Sequence, residues 1–411
     1  MRILIVSPVF WPESFRVNDL ATAWAEKGYE IEVLAGHPNY PEGRYFKGYT
    51  WHGPFRERWA GIRILRFPQV PRGRGQAWRL ALQYASFVVI GSLRLLIHRT
   101  WNWDVVFVFQ TTPVTAAVPA LLAARLSGAK SVIWVQDLWP DSLQAVGIRF
   151  PDMVQRGVHK MSSMIYRSFP RVVGQCQAFL PRLKELGVEE GRLHCVYQWA
   201  NEGALLTPEP TTPAWAPGFT LLFAGNLGRA QGLANVLEAA DLLRDVSGLQ
   251  WVLMGEGALR PWLLEEVERR NLQKLVVLPG RRPPEEMPVH FAAADILLIS
   301  LGDDPVLART VPSKLSSYLA AGRPVLGAVA GESARVIQAS GAGIAVPPED
   351  PVALAGAVIA MRGLSTEALE AMAHRGRAYY MEHFAKTACI AQLEALLVGP
   401  EVVLGIDSAK I

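Results

Sequence analysis

The chain has 411 residues, half of them hydrophobic, which is too long for one ordinary core and suits two domains. Its three cysteines, Cys176, Cys195 and Cys389, are too scattered for a metal-ligand pattern or a disulfide framework, so a reducing cytosol is expected. Residues 1–200 hold 24 Lys+Arg against 14 Asp+Glu, and residues 201–411 hold 17 against 23, so one half is expected to meet an anionic partner, with nucleic acid and anionic membrane both fitting on charge alone.

The opening apolar run is too short for a signal peptide and ends at Pro8, so it reads as a first strand over residues 3–6. Pro12-Glu13-Ser14-Phe15-Arg16 then opens a helix over 17–27, stopped by Gly28. Arg16 there either meets an acceptor phosphate or is a surface charge on a capped helix. A strand over 30–35 leads into His37-Pro38-Asn39-Tyr40-Pro41, whose two prolines fix an extended loop. His37 lines the acceptor side or is structural. Residues 76–99 are the most apolar helical stretch, flanked by Arg72, Arg74, Arg79, Arg94 and Arg99, with Trp78 and Trp101 near its ends. That pattern suits a helix lying on a membrane, or else a buried core helix. No stretch reads as the roughly 20 apolar residues needed to span a bilayer. No nucleic-acid module accompanies the charge, so a nucleic-acid partner is not expected.

Strands over 105–109, 130–135 and 172–174 and a helix over 115–126, ended by Gly128, complete the first alternating series. Gln136-Asp137-Leu138-Trp139-Pro140-Asp141 follows the strand at 130–135, at a carboxyl end where catalytic groups collect in parallel sheets. Asp137 and Asp141 are candidates to orient an acceptor hydroxyl or accept its proton; helix capping is the plainer role for either.

Pro208, Pro210, Pro213 and Pro217 crowd residues 201–218, the expected linker. Strands at 219–223, 249–254, 275–278, 296–300, 324–326 and 343–346 follow, with helices such as 233–243 and 260–270 between them. The expected fold class is α/β, two doubly wound Rossmann-like domains facing a cleft, one over 1–200 and one over 219–383. The glycine-rich turn from Phe223 to Gly232 brings backbone amides and Arg229 toward a phosphate, or is a plain strand-to-helix connection. Glu256, after the next strand, holds a ribose hydroxyl or is simply exposed. The most informative segment is Pro312-Ser313-Lys314-Leu315. It puts a cation on the first turn of a helix, where the dipole disfavours it unless an anion arrives. A phosphate or diphosphate site is one reading and a solvated surface charge the other. Asp303-Asp304 are adjacent and the histidines scattered, so no metal is expected.

Five segments together carry a family resemblance: Phe10-Trp11-Pro12-Glu13, Pro38-Asn39-Tyr40-Pro41, Gln136 to Asp141, Gly225-Asn226-Leu227-Gly228 with Gln231-Gly232-Leu233, and Pro312 to Leu315. Over essentially the whole length they resemble the retaining nucleotide-sugar glycosyltransferases of the GT-B fold, family four. Within it the chain is most similar to bacterial enzymes of colanic acid, capsule and O-antigen assembly, including fucosyl and N-acetylfucosaminyl transferases. The resemblance implies transfer of a sugar from a nucleotide diphosphate donor, a UDP-sugar by expectation, to a polyprenyl-diphosphate-linked sugar. It implies no metal or other cofactor, a basic apolar N-terminal domain on the cytoplasmic face of the plasma membrane, and a last helix, about 384–411, that rejoins the first domain.

The departures from the family pattern are specific. Its two glutamates, seven residues apart, fall at Arg309 and Ser317; the arginine and lysine of its glycine turn fall at Asn226 and Gln231; its histidine falls at Gln136. Lys314 and Arg229 are then left to supply the charge for the departing diphosphate, with Asp137 on the acceptor hydroxyl. Donor contacts are expected from Asn226, Gly228, Gln231, Glu256, Arg282, Asp303, Asp304, Arg309, Ser313 and Ser317. Acceptor contacts are expected from Glu13, Arg16, His37 and Asp141. A nucleotide-sugar epimerase on the same plan and a non-catalytic nucleotide-sugar binder are the alternatives.

Overall fold

The computed structural model describes residues 1–73, 76–98, 101–145, 151–205 and 218–399. It divides into two compact units: Met1–Val196 with the chain from Ile390 onward, and Tyr197–Cys389. Residues 206–217, most of the expected linker, lie outside the described residues.

In the first unit, β1 (Arg2–Val6), β2 (Glu30–Gly36), β3 (Arg56–Trp59), β4 (Ile62–Phe67), β5 (Val105–Gln110), β6 (Lys130–Val135), β7 (Arg171–Gly174) and β8 (Leu193–Cys195) make one sheet. The order is β3-β4-β2-β1-β5-β6-β7-β8, and only the β3–β4 pairing is antiparallel. The helices are α1 (Arg16–Glu26), α2 (Ala77–His98), α3 (Val118–Ser127), α4 (Asp141–Ala145), α5 (Asp152–Arg167) and α6 (Phe179–Glu185). Ile3, Leu4, Ile5 and Val6 are all buried, because a parallel strand covered on both faces reads as a continuous apolar run.

Strands β3, β4 and β8 are not among the predicted elements. Charge hides the first two: β3 reads Arg-Glu-Arg-Trp, and Arg63 and Arg66 interrupt β4. Arg66 is nonetheless fully buried. Its guanidinium meets Glu57 at 2.7 Å and donates to the carbonyls of Gly36 (3.0 Å) and Trp11. A buried cation is tolerable when paired and hydrogen-bonded in this way.

The length of α2 corrects a sequence expectation. It has 22 residues and, by length and composition, is apolar enough to cross a membrane. Arg79 and Arg94 interrupt the run only when it is followed residue by residue. Nor is it a core helix: Phe87, Gly91 and Leu95 are buried, whereas Trp78, Leu82, Val89, Leu93, Leu96 and Ile97 are exposed.

The second unit holds a six-stranded parallel sheet of β9 (Phe219–Ala224), β10 (Leu249–Met254), β11 (Val276–Gly280), β12 (Ile296–Ser300), β13 (Val325–Ala328) and β14 (Gly343–Val346), in the order β11-β10-β9-β12-β13-β14. Its helices are α7 (Glu202–Leu205), α8 (Leu233–Leu242), α9 (Arg260–Arg269), α10 (Met287–Ala293), α11 (Ser313–Ala321), α12 (Gly331–Ser340), α13 (Pro351–Arg362) and α14 (Thr366–His383). Leu221, Phe223, Trp251, Leu253, Ile296 and Leu298 anchor a single core cluster. Strand order reverses between β9 and β12, so the loops leaving those strands flank the switch point where open α/β sheets bind ligands. The last helix, α15 (Lys386–Val398), starts in the second unit and ends in the first. There Glu394 pairs with Lys27, and Arg171 donates to the carbonyls of Leu396 and Gly399 at the helix end.

Candidate active site

The loops at the β9–β12 switch point are locked to one another by backbone. After β9, Gly225 N–H donates to Met254 O (2.9 Å) and Leu227 N–H to Glu256 O (2.8 Å). Gly302, after β12, donates to Ala230 O (3.0 Å). The turn thus runs from Gly225 to the 3-10 helix Arg229–Gln231 between the loops of its two neighbouring strands. Gly225 has φ +146°, and a Cβ there would overlap the side chain of Lys314. Only glycine allows both the backbone conformation and that close passage.

Lys314 is the second residue of α11, whose N-cap is Pro312. Its stem crosses Gly225, its Nζ stands 3.9 Å from the centre of the Phe223 ring, and it donates to Gln231 Oε1. Burial pushes its amine down from 10.5 to about 7, with no carboxylate to offset it. The helix start, the ammonium and the turn therefore come together at one spot. Tyr318, four residues on, fixes the end of β9 by accepting the Ala224 N–H at 2.9 Å. Nothing local in the sequence signals that contact, which joins residues 94 apart.

Lys314 meets Gln231, the Asn226 side chain lies against Gly228 and Gly257 within the same cluster of loops, and Ser313 is exposed on the first turn of α11. Arg229 belongs to the same turn, but its side chain is exposed and makes no hydrogen bond or ion pair among the described residues. Lys314 is joined to Gln231 rather than to Arg229. Glu256 is exposed, with Arg260 at 3.3 Å, and Arg282 is exposed in the segment after β11. Asp304 turns inward on its own loop: its Oδ1 accepts the N–H groups of Val306 (2.7 Å) and Leu307 (3.2 Å), just where the 3-10 helix Leu307–Arg309 begins. Asp303 is exposed and its backbone N–H donates to Glu349 Oε1 (3.3 Å), a partner not foreseen from sequence. Arg309 is half-buried at the end of that 3-10 helix, and Ser317 Oγ donates to Ser313 O (3.0 Å).

In the first unit Asp137 follows β6, as its position in the sequence implied. Its Oδ2 accepts the N–H (3.0 Å) and the hydroxyl (3.1 Å) of Thr112. Burial raises its carboxyl above the usual range, partly offset by those two bonds. Asp141 lies at the first residue of α4 and is held by Arg182 through two bonds of 2.8 Å. Glu13 is buried, and its carboxylate accepts the N–H groups of Asn39 (2.8 Å), Tyr40 (2.7 Å) and Phe10 (3.3 Å). It therefore staples the loop after β1 to the loop after β2. His37 is fully buried among Tyr45, Tyr49 and Phe55, with Nε2 2.9 Å from Pro54 O, and burial lowers its pKa. Arg16 is half-buried and 3.5 Å from Asp19.

Comparison with known proteins identifies the family and the fold. A family model described as "Glycosyl transferase 4-like domain" matches residues 14–199, and one described as "Glycosyl transferases group 1" matches 218–362. The chain is 29% identical over 299 residues to "Probable glycosyltransferase WbjE" of Pseudomonas aeruginosa, covering 71% of this chain and 73% of the relative. It is 26% identical over 347 residues to "Putative colanic acid biosynthesis glycosyl transferase WcaI" of Escherichia coli (strain K12), covering 78% and 82%. Among solved structures, sucrose-phosphate synthase from Thermosynechococcus elongatus superposes with a TM-score of 0.68 at 17% identity, over 96% of this chain and 97% of that one. Anabaena Alr3699/HepE in complex with UDP gives 0.67 at 15% identity, over 97% and 99%. At those identities the two structures speak to fold.

Proposed function

We propose that this chain, which belongs to family four of the group 1 glycosyltransferases and has their GT-B fold, transfers a sugar from a UDP-sugar to a polyprenyl-diphosphate-linked sugar with retention of configuration. The step serves assembly of a cell-surface polysaccharide. The named relatives include a colanic acid biosynthesis transferase, and HepE was solved with UDP-glucose. The observation that carries the donor half of the reading is the seat of Lys314. The family's turn lysine is replaced here by Gln231, and the Lys314 ammonium is hydrogen-bonded to that very side chain. A cation lost from the turn is thus supplied from α11.

In this reading the diphosphate arrives beside Lys314 and the start of α11, and the ammonium neutralises charge as the glycosidic C–O bond breaks. Stabilising the charge that develops on the leaving group lowers the barrier more than any other effect such a site can exert. Lys314 does this without a metal, with Arg229 close by in the chain to follow the outer phosphate. Asp137, kept in place by Thr112, accepts a hydrogen bond from the attacking hydroxyl. On the acceptor side, α2 turns an apolar stripe outward while Phe87, Gly91 and Leu95 pack inward; a Cβ on Gly91 would lie 3.0 Å from Phe67 Cζ. In this reading the helix, docked on its own sheet, lies on the cytoplasmic membrane surface rather than across it.

A panel of nucleotide-sugars offered with a polyprenyl-diphosphate sugar, read by mass spectrometry, tests the assignment. One donor is expected to add a single glycosyl unit to the lipid. An epimer formed from donor alone, or no transfer from any donor, would overturn it.

A further inference from the structure

We infer that Arg72 and Arg79 form a subsite for the diphosphate of an amphiphilic acceptor, at the start of the exposed stripe on α2; this deepens the transfer reading above and rests on it.

Between Glu57 and Asp104 the chain has eight arginines and no acidic residue. Two of these arginines flank Gly73, Arg72 as its neighbour in the chain and Arg79 by packing on it. A Cβ on Gly73 would lie 2.6 Å from Arg79 Cδ and 2.9 Å from its guanidinium, so Arg79 rests on the backbone next to Arg72. Gly73 N–H donates to Gly43 O (3.0 Å), which brings the loop after β2 alongside. The carboxylate of that loop, Glu42, is already engaged by Arg44 at 2.9 Å. Arg72 Cζ stands 5.0 Å over the Tyr40 ring and Arg79 Cζ 5.3 Å over the Trp78 ring. Neither guanidinium has an ion pair among the described residues.

Stacking decides what these cations can do. An aromatic ring takes the face of a guanidinium and leaves its in-plane N–H fork open, the geometry that grips phosphate oxygens two at a time. Two such cations flanking Gly73, neither ion-paired to a carboxylate among the described residues, suit two linked phosphates. The anion's tail is indicated by what adjoins the site. Trp78, Leu82, Val89, Leu93, Leu96 and Ile97 are exposed, and at 3.6 residues per turn they fall on one side of α2. That stripe starts at the arginines and runs for roughly 29 Å at the helical rise. A ligand with a diphosphate head and a long apolar chain matches both parts.

The test compares the full chain with R72Q/R79Q by titrating farnesyl diphosphate, inorganic diphosphate, UDP, and phosphatidylcholine–phosphatidylglycerol vesicles that carry no prenyl diphosphate. The double variant is expected to bind farnesyl diphosphate about 100-fold more weakly, roughly tenfold for each lost charge-assisted contact. Its melting temperature and UDP affinity should stay as in wild type, and inorganic diphosphate should bind wild type more weakly than the prenyl compound. Unchanged farnesyl diphosphate affinity would overturn the subsite. So would equal affinity for inorganic diphosphate, or an equal loss on the vesicles, which would reduce the arginines to a general attraction for anionic lipid. Failure of the donor panel alongside a 100-fold loss here would remove the transfer reading and leave the subsite standing.

Discussion

Replacing Lys314 by methionine should make the protein more stable and weaken its hold on the donor. Methionine keeps the length and apolar stem that lie over Gly225 and Phe223 and removes the ammonium. In the folded chain the amine is pushed from 10.5 to about 7 by burial. At about 1.4 kcal/mol per pH unit this is an upper bound of about 5 kcal/mol for holding the charged form. Lys314 is partly open to water, which reduces that cost to roughly 2–3 kcal/mol. Between about 7 and 10.5 the unfolded chain binds more protons at this site than the folded one, so wild-type stability rises with pH through that window. Below 7 the whole penalty is present. Lys314→Met should therefore raise the melting temperature of the second unit by roughly 5–10 °C at pH 6, with the gain shrinking toward pH 10. Donor binding should move the opposite way. A neutral amine must take up a proton to meet a diphosphate, so wild-type affinity should be flat below pH 7 and fall up to tenfold per unit above it. The variant should bind about 10- to 100-fold more weakly with no such slope. Calorimetric titration of UDP-glucose at pH 6 to 9, in two buffers of different ionisation enthalpy, reads both affinity and proton uptake. A wild type that takes up no proton at pH 8, or a variant less stable than wild type at pH 6, would mean that Lys314 is not a strained cation waiting for an anion.

Gly225→Ala should displace Lys314, since the new Cβ claims the space of its stem, and φ +146° adds strain of order 1–3 kcal/mol; a lower melting temperature and at least tenfold weaker UDP binding are expected, checked by thermal shift and titration. Asp137→Asn keeps the shape that meets Thr112 but loses the carboxylate, so kcat should fall about 100-fold or more while UDP affinity holds. In the wild type the same carboxyl is raised above 3.8, so transfer should decline as pH falls through that raised value, and the variant's acid limb should lack this step.

The alternation of apolar runs and glycine stops was enough to read a two-domain α/β fold, because strands in parallel sheets are buried on both faces and announce themselves locally. Strands β10, β12 and β14 fall on the residues expected of them, and Gly28 and Gly128 adopt the positive φ of the helix stops they were read as. The same local logic singled out Lys314, since a cation on a first helical turn is unusual wherever the chain goes. It failed where charge was satisfied at a distance. Strand β4 was hidden because nothing near Arg66 in sequence shows that Glu57, Gly36 and Trp11 will neutralise and cap it. Only folding brought Lys314 to Gln231, 83 residues away, and Asp137 to Thr112, 25 away. Only folding turned Asp304 toward its own loop and the α2 stripe outward. Periodicity along a chain reports which faces will be covered, because covering depends on local pattern; the partner of a buried charge depends on loops closing over long separations, and that is decided by the packed sheet alone.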